Sequence, residues 1–298
     1  MLKEKIKLMT DSCSDIPTAL AEELGIGMLY FPVTVDGVCA RELKDFTKEE
    51  FYEKIAAAQE YPSTAQITPF EMHDTFLNLY EQGYSDVIYV TIGSGGSATH
   101  DNAVAARAQF YSEDMRDDRP MRIHIIDGRN YTATYGYGVV EAAKMLRRGA
   151  DCAEVIDYLL DWVASAAVYF IPLTLKYVKR SGRVSAAAAF AGELLGLRPV
   201  CRIIDCKSDV LSKVRGEQHI VPYMLQIAAD NMIPHTPYTI LHGKDDTLAK
   251  ELAAQLTKQL GYPPAQYWAI GATVTCNAGP EVVGLVIRQQ RRALQESV

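Results

Sequence analysis

The stretch Ile92-Gly93-Ser94-Gly95-Gly96-Ser97-Ala98-Thr99 narrows the folds open to this chain more than any other, because it joins an apolar strand-like run, Asp86 to Thr91, to a helical pattern over Asp101 to Tyr111. Small residues let a backbone approach a ligand closely, and the first N–H groups of a helix lack intrahelical acceptors, so such a turn suits an anionic group. Strand-like runs recur at Ile6 to Met9 and Arg122 to Ile126, each followed by polar or glycine residues and a helical segment. This alternation predicts a parallel sheet covered by helices. Ligands gather at the carboxyl ends of such strands, where Asp11, Ser94 and Asp127 fall.

Thr47 with Glu50 and Thr68 with Glu71 read as capping boxes, the second followed by Pro69 at the favoured first position and closed by Gly83. Asp15 reads as the cap of a helix from about Pro17 to Gly25, and Asp11 as a structural hydrogen-bonding group. A helix over Thr132 to Arg148 ends at Gly149-Ala150 and another follows over Asp151 to Ala166. At 298 residues the chain exceeds the usual size of one domain, so a boundary is placed there, between residues 1–150 and 151–298. The second half offers strands at Val168 to Ile171, Val200 to Ile204, Val210 to Val214, Thr239 to Leu241 and Val283 to Ile287. Helices are expected over Ser185 to Leu195, Glu217 to Asn231 and Thr247 to Leu260. The short turn at Asp205 to Asp209 implies antiparallel pairing. The expected fold class is α/β, with a mostly parallel N-terminal sheet flanked by helices and a second α/β unit built on a mixed sheet.

A net charge of -7 argues against general nucleic-acid binding, which needs a basic surface. Met1 to Thr10 interleaves lysines with apolar residues, unlike a signal peptide core. The longest apolar stretch, Val163 to Leu175, is interrupted by Ser165, Pro172 and Thr174 and falls short of the roughly 20 residues of a membrane helix, so a cytoplasmic location is expected. The six cysteines form no C-x-x-C pair and the six histidines no H-E-x-x-H spacing, so neither a metal site nor a disulfide framework is expected.

The glycine turn admits other chemistries. Gly93, Gly95 and Ala98 fit G-x-G-x-x-A after a strand, with Asp127 ending the next strand as a ribose-binding acid would, although a nucleotide fold normally puts this turn on its first strand. Ser97, His100 and Asp127 are the residue types of a hydrolase triad, yet G-x-S-x-G is absent and Ser97 more naturally caps the helix. A Ser-dependent hydrolase or a nucleotide-binding enzyme using residues 93–99 therefore stands as the alternative. No phosphate-binding loop of the G-x-x-x-x-G-K-[ST] type or protein-kinase signature is found. Elsewhere, Ser63, Thr64 and Gln66 precede a helix whose cap is Thr68, which leaves their polar groups unexplained. In the basic run Lys176 to Arg183, solvated helix ends account for most charges, and Arg183 is the candidate anion contact.

The order Thr10-Asp11-Ser12-Cys13-Ser14-Asp15, Pro62-Ser63-Thr64-Ala65-Gln66, Ser94-Gly95-Gly96-Ser97-Ala98-Thr99 and Ile126-Asp127 resembles the DegV family of fatty-acid-binding proteins. The likeness continues through Leu175 to Ser185, Leu194 to Val200 and Lys213-Val214-Arg215-Gly216, and so covers almost the whole chain. It implies a two-domain, non-catalytic, bacterial lipid-binding protein that takes a long-chain fatty acid such as palmitate and needs no cofactor. Thr64 and Ser97 would hold the carboxylate, with Ser63, Ser94 and Asn277 as secondary head-group contacts. Some members are subunits of bacterial fatty acid kinase, which serves phospholipid metabolism. The resemblance thus implies an ATP-binding kinase subunit as partner, with Arg183 and Arg215 meeting that partner or a phosphate, and transient contact with a membrane. The chain departs from the family pattern at Ala65 for Ser, Ala98 for Gly and His100 for Tyr. It departs again at Thr275 to Glu281, where Asn277 replaces a histidine and Glu281 a glycine.

Overall fold

The computed structural model describes residues 5–116, 118, 120–184 and 196–290. Its first half carries β1 (Ile6–Asp11), α1 (Thr18–Leu24), β2 (Gly27–Leu29), β3 (Pro32–Val35), β4 (Val38–Arg41), α2 (Lys48–Ala57), β5 (Ser63–Thr64), α3 (Pro69–Glu81), β6 (Asp86–Thr91), α4 (Thr99–Glu113), β7 (Arg122–Asp127) and α5 (Ala133–Arg147). There follow α6 (Cys152–Ser165), β8 (Ala166–Pro172), α7 (Val178–Ser181), β9 (Leu197–Ile204), β10 (Lys207–Arg215), α8 (Ile220–Asn231), β11 (Thr239–His242), α9 (Thr247–Leu260), β12 (Gln266–Ala269), α10 (Ala272–Ala278) and β13 (Val282–Arg288).

The first sheet is parallel throughout, in the order β2-β1-β6-β7. Every residue of β6 is buried, as expected of a central parallel strand covered on both faces. The larger sheet runs β10-β9-β8-β13-β11-β12 and is antiparallel except where β11 meets β12. Asp205 and Cys206 join β9 to β10 with φ of 49° and 58°, the two left-handed residues that match a hairpin turn to strand twist.

Period-two alternation decides what each face of the large sheet covers. On β8, Val168 and Phe170 face the main core, while Ala167, Tyr169 and Ile171 turn to a second core beneath α8 and α9. Between the two sheets lies α5, whose residues from Ala133 to Val140 are all buried, the condition of a helix that meets protein on every side. Gly136 and Gly138 make that possible. A Cβ on Gly136 would stand 2.2 Å from the Ser14 carbonyl oxygen, and one on Gly138 2.5 Å from the Trp162 ring.

The structure differs from the sequence expectation at several points. A small antiparallel sheet, β4-β3-β5, went unforeseen because its strands are too short for alternation to show. β12 was missed as well. Asp15 does not cap α1: with φ of 59° it turns its carboxylate inward, accepting from Thr132 Oγ1 at 2.5 Å and Gly271 N at 2.6 Å. Thr47 and Glu50 form a complete capping box, but Glu71 leaves Thr68 to do half the work and pairs with Arg41 at 3.2 Å. The helix expected over Glu217 to Asn231 begins at Ile220 after a 3-10 turn. The helix expected over Ser185 to Leu195 lies outside the described residues. No helix among the described residues is long and apolar enough to cross a membrane.

Candidate functional site

A cavity of about 160 Å³ opens where the carboxyl ends of β1 and β6 meet the face of the large sheet. Its floor is apolar: Val168 and Phe170 of β8, Ile203 of β9, Leu241 of β11 and Val282 of β13 line it. Polar side chains, Thr64, Gln66, Ser97, Arg183 and Asn277, line it as well. A greasy wall with a few convergent polar groups is the composition of a small-molecule binding site.

Thr64 and Ser97 are brought to this cavity by separate elements that are then tied together. Thr64 sits on β5, held by pairing with Val33 of β3. Ser97 precedes α4, where its Oγ accepts from Thr99 N at 3.2 Å and lies 2.9 Å from Thr99 Oγ1. Thr99 Oγ1 in turn accepts from Ile67 N, and Asn102 Nδ2 donates to Ile67 O at 2.8 Å, which fastens the loop after β5 to the first turn of α4. Among the described residues no hydrogen bond engages the Thr64 hydroxyl, so its O–H is available to a ligand.

Two other hydroxyls along the cavity are committed, whereas the buried Tyr131 hydroxyl has no hydrogen-bond partner among the described residues. Thr132 Oγ1 donates to Asp15, and Thr273 Oγ1 donates to Glu42 Oε2 at 2.6 Å while its N–H reaches Oε1 at 2.9 Å. Glu42, fully buried, also accepts from Ser12 Oγ at 2.7 Å. Lys48 supplies positive charge to this layer, donating to the carbonyls of Asp15 and Ala269 with its Nζ 3.9 Å from Asp15 Oδ1. Burial nonetheless pushes Asp15 up to about 7, opposed by Lys48 and aided by Glu42. Asp11 is likewise raised to about 7 by burial, and the thiol of Cys13 on the cavity wall is held well above its ordinary range for the same reason. The wall beside the cavity is therefore a layer of buried carboxyl groups, of which the sequence singled out Asp11 and Asp15 but not Glu42. Glu42 and Lys48 stand in charged stretches that read as surface, and Thr132 carries its φ of 56° without any glycine to mark it.

The glycine turn answers to its protein neighbours. A Cβ on Gly93 would lie 2.2 Å from the Cys206 sulfur, and one on Gly96 2.2 Å from the Tyr131 hydroxyl. Its amides are used internally as well: Gly93 N donates to Asn130 O, Gly96 N to Gly93 O and Ser94 N to Asp127 Oδ1. The glycines thus serve close packing of chain on chain, and three of the amides of the turn already have acceptors within the protein. The triad geometry does not form either. His100 Nδ1 meets Thr91 Oγ1 at 3.1 Å, and Asp127 binds Ser94 and the Arg129 amide. Asp11 behaves as a structural group, accepting from Ile92 N and from the Tyr135 hydroxyl.

The remaining sequence candidates separate. Asn277, on α10, lines the cavity while its Nδ2 donates to Thr273 O at 2.8 Å. Arg183 lines it too, exposed, with its guanidinium turned to Ser181 O at 3.0 Å. Ser63 is exposed on β5, Ser94 gives its hydroxyl to Asp127 at 2.5 Å, and Arg215 is exposed at the end of β10; none of the three lines the cavity. Sequence reasoning overlooked Tyr131, whose ring covers Gly96 and borders the cavity beside Ser97.

The family model described as an uncharacterised protein of the DegV family matches residues 5–290. A DegV domain-containing protein of Caldanaerobacter subterraneus is 28% identical over 96% of this chain and 100% of its own length, and one of Listeria monocytogenes is 27% identical over 95% and 98%. A DegV family protein from Thermus thermophilus, described by its fatty acid binding, superposes with a TM-score of 0.82 at 25% identity, covering 96% of this chain and 99% of that one. A stearic acid-binding protein from Eubacterium ventriosum superposes with a TM-score of 0.83 at 23% identity over 96% and 98% of the two chains, a likeness of fold. With its parallel and mixed sheets laid out as in these structures and its length matched almost end to end, the chain belongs to the DegV family.

Proposed function

We propose that this protein is a non-catalytic carrier of a long-chain fatty acid such as palmitate. In this reading the acyl chain lies on the apolar floor of the cavity and the carboxylate is held by Thr64 and Ser97. The observation that carries it is the cavity itself, which joins an apolar sheet face to two hydroxyls, one of them unengaged by any described residue. The fatty-acid-binding relative from Thermus thermophilus supports the same class of ligand. Burying about 14 methylenes at ~0.8 kcal/mol each gains on the order of 10 kcal/mol before association and ordering costs. Two hydrogen bonds to a charged carboxylate add ~1.5–3 kcal/mol each. The tail therefore dominates affinity and the hydroxyls fix its direction.

The same reading extends to a partner. A carrier that shields the tail and leaves its carboxylate at a polar rim is suited to present that group to a separate ATP-binding kinase subunit in the cytoplasm, and to collect the acid by transient contact with a membrane. Arg183, exposed and lining the cavity, is the group that in this reading meets an acyl phosphate or that partner, since a guanidinium binds either bidentately. Asn277 is a secondary head-group contact. The test of the head-group assignment is the double replacement Thr64→Val with Ser97→Ala, titrated calorimetrically with palmitate and with the uncharged long-chain alcohol. Palmitate should lose affinity by about 100-fold or more, on the order of 3 kcal/mol for the two bonds, while the alcohol changes far less. Equal losses would show that the pocket, and not a carboxylate contact, was damaged.

A further inference from the structure

One cross-strand row runs through the cavity floor. Cys201 of β9, Phe170 of β8, Gly284 of β13, Leu241 of β11 and Trp268 of β12 are successive partners in register. Residues directly opposite on adjacent strands share a face, and Phe170, Gly284 and Leu241 all line the cavity. Along β13 itself, Val282 and Val286 face the same core two residues either side of Gly284. Gly284 is therefore a missing side chain enclosed by Phe170, Leu241, Val282 and Val286.

Nothing in the backbone calls for glycine here, since Gly284 is not among the residues of positive φ. A glycine inside a strand weakens it and marks a place where something approaches closely. A Cβ at this position would lie 3.1 Å from Leu241 Cβ, 3.4 Å from its Cδ1 and 3.5 Å from the Tyr169 carbonyl oxygen, so even one methyl group would press on Leu241 and displace it toward the cavity that both residues line. The notch is thus narrow, apolar and open to the cavity, and its depth is set jointly by residues 284 and 241.

We propose that Gly284 is a specificity-determining position: the notch between Phe170 and Leu241 receives methylenes of the acyl chain and sets how long a chain the cavity takes. This rests on the carrier reading above. The test compares affinities for myristate, palmitate and stearate in the delipidated wild type, Gly284→Ala and Leu241→Ala. Gly284→Ala should lower the stearate-to-myristate affinity ratio by ~4-fold for each methylene it displaces, and Leu241→Ala, which deepens the same notch without crowding, should raise it. Should Gly284→Ala fail to fold, the direction of the Leu241→Ala shift decides. An unchanged ratio in Leu241→Ala, or a loss equal for all three acids in Gly284→Ala, overturns the notch while leaving the carrier intact. A wild type that binds none of the three acids overturns both.

Discussion

Replacing Asp11 by asparagine should flatten the dependence of stability on pH. Asp11 is buried at the end of β1, its Oδ2 accepting from Ile92 N at 2.6 Å and its Oδ1 from the Tyr135 hydroxyl at 2.5 Å. Burial raises the carboxyl from 3.8 to about 7 in spite of those two bonds, and Glu42 adds to the rise. An acid whose pKa is higher folded than unfolded holds its proton longer in the native state. Its contribution to stability is therefore full below about pH 4 and is lost as pH climbs through about 7. The whole loss is about 4 kcal/mol, at 1.36 kcal/mol per pH unit, and about 2.5 kcal/mol of it falls between about pH 5 and 8. Asparagine keeps the shape and both contacts. Its amide oxygen accepts from Ile92 N, and its NH2 donates to the Tyr135 oxygen once that hydroxyl rotates away. Urea unfolding across this pH range, followed by the fluorescence of Trp162 and Trp268, should show the wild-type free energy falling about 2.5 kcal/mol further than the variant's. Identical pH slopes for the two proteins would refute a protonated Asp11 in the fold.

Asn277→His should tighten palmitate binding by roughly 3- to 10-fold near pH 6, where an imidazole carries charge, and much less near pH 8; calorimetry at the two values checks this, and no gain at the lower pH would set Asn277 apart from the head group. Arg183→Ala should leave palmitate affinity within about 2-fold while cutting acyl phosphate formation 10-fold or more in an assay reconstituted with the cognate ATP-binding subunit. Loss of palmitate itself would make Arg183 a head-group contact of the bound acid.

Much of the scaffold was legible because it rests on local rules. β6 is a continuous apolar run ending in a glycine turn, α2 announces itself with Thr47 and Glu50, and the second half of the chain carries apolar runs at five of the six strands of the mixed sheet. The sites of misreading share a different cause. Asp15 has the residue type and place of a helix cap, yet a partner 117 residues away, Thr132, and another 256 away, Gly271, claim its carboxylate. The glycine turn does bring Gly96, Ser97 and Ala98 to the cavity, but Tyr131 and Cys206, brought in by distant loops, stand where side chains on Gly96 and Gly93 would be. From the residues alone Thr64 stood out as a hydroxyl without a local job and Ser97 as a helix cap, and only the family resemblance paired them. Their convergence on one cavity depends on Thr99 and Asn102 fastening the loop after β5, a contact no spacing in the chain reveals. Gly284 was invisible for the complementary reason, since its meaning lies in the side chains of the two strands beside it.

Protein purified from a bacterial host, denatured, extracted with organic solvent and analysed by mass spectrometry tests the carrier reading most directly. A long-chain fatty acid should be recovered in near-stoichiometric amount from the wild type and be depleted in the Thr64→Val/Ser97→Ala variant. Repeated recovery of no fatty acid, with no heat on titrating palmitate into the emptied protein, would contradict it, and a co-purified nucleotide would favour the enzyme alternative at residues 93–99.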